Sequence, residues 1–414
     1  MLKICKFSVA MLFINLYVIY TFWGRYIPYG TLIFGFTATV TMVLHALLPK
    51  NYQLFTKAKV ELLTLLGFII WAYITAPFAI STETALSGCF DVLQKILMVI
   101  VIYYICSFDG SLKFVTKLFL GIAFAAAFYT ILNNGNMEKR VALSSNVSEN
   151  VLGNIMVFGV FCAIYLFQGK HWWSLSLITG ISALFSFVVA LSGSRKSIFA
   201  IVLLLFCCLL FVPKNNKISG KSFLSMFLLV IVLIVLIIYV YPLVSNTSLY
   251  ARFFDEKYAT RANASNEGRI ELYITAWREF TQSFLWGIGM KNFNFEHGSY
   301  THSAYAEVMV STGLVGIILY FTSYIRIFFT FVRGLFDKTI TDSKKRDSRL
   351  CLCFFITFLY VGVGVGHLYD NVSIVELGMF IAASKLFYVD LREKFVERKV
   401  TNEQKEIKSP ANSI

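Results

Sequence analysis

Thr301-His302-Ser303-Ala304-Tyr305-Ala306-Glu307 sets a histidine where a long polar loop enters an apolar run, which continues through Ser311-Thr312-Gly313-Leu314-Val315-Gly316. Imidazole titrates near neutral pH and is the usual side chain for taking a proton from a hydroxyl group. His302 is therefore the first candidate general base. The plainer alternative is an interfacial histidine with solvated nitrogens. With the following run helical, His302, Tyr305, Ala306 and Met309 share a face, and Tyr305 could orient the ring. His297, five residues earlier, reads as a merely exposed residue.

Cations form the second group. Leu191-Ser192-Gly193-Ser194-Arg195-Lys196-Ser197 is a tight turn between two apolar runs. Guanidinium forms bidentate bonds to phosphate oxygens, so Arg195 and Lys196 could bind a phosphate or simply snorkel to lipid headgroups. The segment from Val244 to Thr301 adds Arg252, Lys257, Arg261, Arg269, Arg278 and Lys291. Within it, Ile270, Tyr273/Ile274, Trp277 and Phe280/Phe284 fall at helical spacing opposite Glu271, Arg278 and Glu279. That pattern predicts an amphipathic helix lying at a membrane surface, with Asn266 as its N-cap and Arg269 in its first turn.

A third group lies inside or at the ends of apolar runs. Asp91 and Lys95, four apart on one face, are either a functional pair or a self-neutralising one. Asn146, Asn150 and Asn154 make a polar stripe able to bind a sugar or to join helices. His367 and Asp370 sit in the turn Gly366-His367-Leu368-Tyr369-Asp370-Asn371. His45 and His171 read as structural. No Cys/His spacing resembles a zinc site, so no metal and no cofactor are expected.

The elements that must position these residues follow from composition. The chain has 414 residues, is 57% hydrophobic and 14% charged, and contains 41 Phe. Apolar runs of bilayer-spanning length recur at about 7–23, 31–48, 60–80, 87–106, 114–132, 151–168, 173–191, 197–213, 222–243, 303–331, 350–366 and 372–388. The expected fold is an all-α polytopic integral membrane protein of about twelve transmembrane helices. The first run lacks a small-x-small cleavage site and reads as an uncleaved helix. The net charge of +14 is mainly a topology signal, because Lys and Arg concentrate in alternate loops and in the tail after Arg392. By the positive-inside rule both termini are cytoplasmic, and the loop ending at His302 is external. The expected organisation is spans one to nine in 1–243, a large external loop in 244–302, spans ten to twelve in 303–390, and a polar tail in 391–414. Nucleic acid is not an expected partner; membrane lipid is. The eight cysteines read as buried free thiols.

Four features in order resemble the O-antigen polymerase and O-antigen ligase superfamily of bacterial membrane glycosyltransferases. They are Ser192-Gly193-Ser194-Arg195-Lys196, then Gly268-Arg269-Ile270 to Trp277 with Trp286-Gly287-Ile288-Gly289, then Thr301-His302-Ser303-Ala304-Tyr305 with Gly313-Leu314-Val315-Gly316, and finally Asp370 to Gly378. The resemblance covers about 190–385. It implies a GT-C-like, metal-independent, inverting enzyme of the bacterial inner membrane with its active site facing the periplasm. It implies a donor glycan on undecaprenyl pyrophosphate, His302 as the base on the acceptor hydroxyl, and Arg195 and Arg269, with Lys196 and Arg261, on the pyrophosphate. Tyr305, Asp91, Lys95, Asn150, Asn154, His367 and Asp370 are supporting candidates. The Gly-Ser-Arg-Lys-Ser turn resembles polymerases more than ligases, whose turn more often reads Ser-Arg-Gly. The expected activity is thus polymerisation of lipid-linked repeat units, alongside a chain-length regulator and a flippase. The alternatives are transfer to lipid A core and, from another class, a precursor transporter or flippase.

Overall fold

Long apolar helices dominate the computed structural model, which describes residues 58–107, 111–133, 148–168, 174–211, 256–337 and 341–386, with 142 and 250 as isolated positions. All regular structure among these residues is helical. In chain order the helices are α1 (Lys59–Thr75), α2 (Thr82–Cys106), α3 (Ser111–Asn133), α4 (Glu149–Phe167), α5 (Ser174–Ser192) and α6 (Arg195–Phe211). They continue as α7 (Glu256–Gln282), α8 (Asn292–His297), α9 (Ala304–Phe336) and α10 (Asp342–Gly362), then α11 (371–386). Five segments are long and apolar enough to cross a membrane: Lys59–Phe78, Thr82–Cys106, Leu112–Asn133, Glu149–Phe167 and Ala304–Phe336. The predicted spans 7–23, 31–48 and 222–243, the tail 391–414, His45, His171 and Asn146 lie outside the described residues.

Backbone polar groups have no water partner in hydrocarbon, so the helix is the economical way to cross. What orders the helices is side-chain packing. Phe354 of α10 lies 4.1 Å from Phe161 and 5.3 Å from Phe158, both on α4. Phe380 of α11 packs on Phe354, Phe355 and Phe358. This aromatic seam joins α4, α10 and α11. The seven cysteines among the described residues are free and buried, as small apolar groups are in such packing.

Two devices set the ends of the bundle. At one end the carboxylate of Glu61, 1% exposed, receives Arg326 Nε at 2.9 Å and Lys385 Nζ at 2.6 Å. A buried carboxylate is tolerated only when paired, and this one ties α1, α9 and α11 together. The other device is a break in α9. Gly313 has φ 67° and ψ −166°, a region essentially closed to residues with a side chain. The break frees carbonyls of the preceding turn, and three of them accept from other segments, while one freed amide finds an acceptor. Ile288 N donates to Val310 O at 2.9 Å and Gly289 N to Ser311 O at 3.0 Å. Trp71 Nε1 donates to Thr312 O at 3.0 Å, and Leu314 N donates to Phe284 O at 2.8 Å. A Cβ on Gly287 would lie 2.5 Å from Ser311 C, and one on Gly313 would lie 2.4 Å from Leu285 C. The two glycine-containing motifs therefore interlock, with backbone against backbone.

The helix predicted to begin after Asn266 is longer than expected. It starts at Glu256, so Asn266 is interior rather than a cap, and Arg269 stands mid-helix. Local spacing could not reveal this, because the N-terminal half lacks the apolar stripe. The stripe itself is split between two environments. Ala276 is buried with Ile288, Phe293 and Val310 and Phe280 is buried as well, whereas Ile270, Ile274 and Trp277 are each more than half exposed.

Candidate functional site

The site is built where four elements meet at the end of the bundle opposite Glu61. The α5–α6 turn comes first. Gly193 takes φ 66°, Ser194 N donates to Ser192 Oγ at 3.3 Å, and Ser194 Oγ meets Ser197 Oγ at 2.9 Å. This closes the turn in two residues, Gly193 and Ser194, and starts α6 with Arg195 and Lys196. Lys196 Nζ reaches across to donate to the carbonyl of Gly364, just beyond α10. The neighbouring carbonyl, Val363 O, accepts from Tyr273 Oη of α7 at 3.1 Å. The turn after α10 is thus held from two sides, and Arg269, one helical turn before Tyr273, is brought over it.

His302 occupies the fourth element. It is one of two non-glycine residues with positive φ among those described, at 57°, and its side chain is exposed. Ser303 caps α9 immediately after it, accepting from Ala306 N. Partial burial, then the charges of Arg269 and of Lys196, push the imidazole pKa below its ordinary value. Arg269 also repels Lys196. Arg269 makes no ion pair among the described residues. The charged groups that act on His302 are therefore cations. An anion entering here would relieve repulsion between fixed charges, which is the arrangement expected around a charged leaving group.

The second histidine of this end behaves differently. His367 is 1% exposed, stacks on Phe358 at 4.1 Å, and lies 3.4 Å from Tyr324 Oη through Nδ1. Burial, then Lys196, pushes its pKa down to about 3. It is neutral but closed to an acceptor, so it is a packing residue of the α10–α11 turn. Asp370 caps α11, accepting from Ser373 N at 3.1 Å and Ser373 Oγ at 2.6 Å. Asn154 Nδ2 donates to the same carboxylate at 2.9 Å. Asn154 is thus a helix-joining residue. Asn150 lines a small cleft with Asn154, Ser194, Lys196, Ser197, Val361 and Val365.

Two expectations fail. Asp91 and Lys95 are not a pair. Asp91 bonds Lys291 before α8, and Lys95 donates to Asn371 at the start of α11. Each is drawn to a loop that sequence spacing cannot see. Tyr305 does not orient His302. Its hydroxyl donates to Leu359 O at 2.7 Å and its ring stacks on Phe321, because α9 begins after His302 and turns Tyr305 toward α10. The Arg261 side chain lies outside the described residues. One group, Glu279, Glu296 and His297, places three possible metal-ligand atoms within 4.8 Å of one another, with His297 Nε2 3.7 Å from Glu279. It shares no residue with the cationic cluster. Glu307, unassigned from the sequence, is 1% exposed and bonds Thr301 beside His302. A lone glutamate in the first turn of an apolar helix was the available signal.

Fold and site together define a multi-pass α-helical membrane protein whose polar centre lies at the mouth of the bundle. Residues 180–321 match the family model described as O-antigen ligase. The matched stretch is well short of half the chain, yet it contains Arg195, Lys196, Arg269, His302 and the glycine interlock. It bears out the resemblance to the O-antigen polymerase and ligase superfamily, whose members are glycosyltransferase-like enzymes. No curated protein matches the chain.

Proposed function

We propose that the protein polymerises lipid-linked glycan repeat units on the periplasmic face of the bacterial inner membrane, with both termini cytoplasmic. The reading is carried by an exposed His302 at the mouth of the bundle, where burial and the charges of Arg269 and Lys196 hold its imidazole below the ordinary pKa. In the proposed reaction His302 takes the proton of an acceptor hydroxyl. The acceptor oxygen forms a bond to the anomeric carbon while the bond from that carbon to the pyrophosphate oxygen breaks. Undecaprenyl pyrophosphate leaves with the electron pair, and backside attack inverts the anomeric centre. Arg195, Lys196 and Arg269, with Arg261 further up α7, stabilise the departing anion. The chemistry requires no metal. The exposed Ile270, Ile274 and Trp277 suit an α7 resting at headgroup depth, where the lipid carrier's phosphates lie. A chain-length regulator and a flippase are the expected partners.

The description of the matched family favours a second reading, ligation of glycan to lipid A core. A transporter or flippase would need a charged cavity within the spans, and Asp91 and Lys95 are instead bonded to Lys291 and Asn371. The deciding experiment compares surface polysaccharide from a deletion strain complemented with wild type or His302→Ala. A polymerase defect leaves single repeat units on lipid A core and removes the ladder. A ligase defect removes all attached units while polymer accumulates on the carrier. A normal ladder with His302→Ala would sink the assignment of His302 as the base and reopen the transporter reading.

A further inference from the structure

We infer that Glu307 is the positioning residue for His302, acting through Thr301; the inference rests on the reading of His302 as the base. Glu307 stands in the first turn of α9, where a carboxylate favours the exposed amide groups of a helix start. Its side chain does more than that. It folds back past the Ser303 cap, and Oε2 accepts from Thr301 N at 3.3 Å and from Thr301 Oγ1 at 2.8 Å. Thr301 Oγ1 in turn accepts from Ser303 N at 3.4 Å. The residues on both sides of His302 are therefore tied, directly or through one hydroxyl, to a single carboxylate oxygen.

His302 needs such a tie. A histidine at φ 57° occupies a region that non-glycine residues enter rarely, and they stay there only when the surroundings impose it. Thr301, Ser303 and Glu307 are buried while His302 is exposed. The ring is thus an exposed tip on a buried three-residue clamp. Glu307 Oε1 is buried with no hydrogen-bond partner among the described residues, so Oε2 alone makes the carboxylate's bonds to the clamp, and the Thr301 hydroxyl, 2.8 Å from it, also lies 3.1 Å from Ser303 O. A glutamine would keep that accepting oxygen and place its amide where Oε1 now stands.

The test uses the full chain in lipid nanodiscs, with undecaprenyl-pyrophosphate-linked repeat units extracted from a deletion strain as donor and acceptor. Glu307→Ala should lower kcat by about 10²-fold, the cost of misplacing a reacting group by about an ångström, while the donor KM stays near wild type. Glu307→Gln should recover most of the rate. The acid limb of the kcat/KM profile should rise in Glu307→Ala, as the loosened ring meets water, and stay in place in Glu307→Gln. A wild-type rate in Glu307→Ala overturns the inference, as does a Glu307→Gln as slow as Glu307→Ala, which would mean that the charge itself is needed. If Glu307→Ala fails to fold, Thr301→Val and Thr301→Ser decide. A slow Thr301→Val restored in Thr301→Ser supports the clamp, and a fast Thr301→Val overturns it. His302→Ala runs alongside: if it retains the rate, the base assignment fails, independently of the clamp.

Discussion

At His302 the sign of the pKa shift sets the pH behaviour. Partial burial, Arg269 and Lys196 all disfavour the imidazolium, so the ring is neutral at pH 7 and protonates only as pH falls below the usual histidine range near 6.5. Transfer should accordingly be flat around neutrality, with an acid limb below the ordinary histidine value; a limb above it would contradict the cationic surroundings. His302→Ala should cost about 10²- to 10⁴-fold in kcat, the usual contribution of a general base. Membrane insertion should be unchanged, because the side chain is exposed. In the proposed reaction the cations act on the leaving group instead. Arg269→Ala and Lys196→Ala should each cost on the order of 10²-fold, the scale for losing one fixed charge stabiliser. The same variants should raise the His302 acid limb, since a repelling cation has gone. Measuring rate and pH profile on the same samples checks both. Arg195→Ala should lower the rate too, through donor binding. The type of each residue was legible in the sequence; its neighbours were not, as Asp91, Lys95 and Tyr305 show, each with a partner more than fifty positions away.

Among the elements, the broken α9 is decisive. A continuous helix from Ala304 would leave Ile288 N and Gly289 N without their acceptors. The motif Gly313-Leu314-Val315-Gly316 and the turn Trp286-Gly287-Ile288-Gly289 are thus one structural unit seen twice in the sequence. Gly313→Ala puts a Cβ 2.4 Å from Leu285 C at a backbone conformation costing about 1–3 kcal/mol for any other residue. The variant should show a clearly lower melting temperature in detergent and reduced transfer, whereas His302→Ala keeps the wild-type melting temperature. Equal melting curves for Gly313→Ala and wild type would remove the interlock from the account. The existence of α9 was evident from its apolar run. Its break was only hinted at by the glycine, since a glycine in a membrane helix is as often a packing site as a kink.

For the whole molecule, the decisive question is which end faces out. The Glu61–Arg326–Lys385 knot and the His302 cluster occupy opposite ends of the bundle, and the proposed topology, drawn from the positive-inside rule, places the His302 end outside. A cysteine introduced at Glu267→Cys, an exposed position, should react with a membrane-impermeant maleimide in intact spheroplasts. Lys344→Cys, at the start of α10, should react only after permeabilisation. The described native cysteines are buried and give little background. The reverse pattern would put the site in the cytoplasm and exclude the periplasmic reaction.

The sequence by itself determined the membrane class, most helix positions and the chemical types at the mouth of the bundle. Those depend on residue type and on local periodicity, which a single chain displays openly. Tertiary structure decided the groupings. It joined Lys196, Arg269 and His302 across α6, α7 and the start of α9. It withdrew His367 into an aromatic stack, extended α7 past Asn266, and turned Glu307 back onto the His302 loop. Burial and charge proximity arise only when segments distant in the chain pack together, and those two quantities distinguish the exposed His302 from the buried His367.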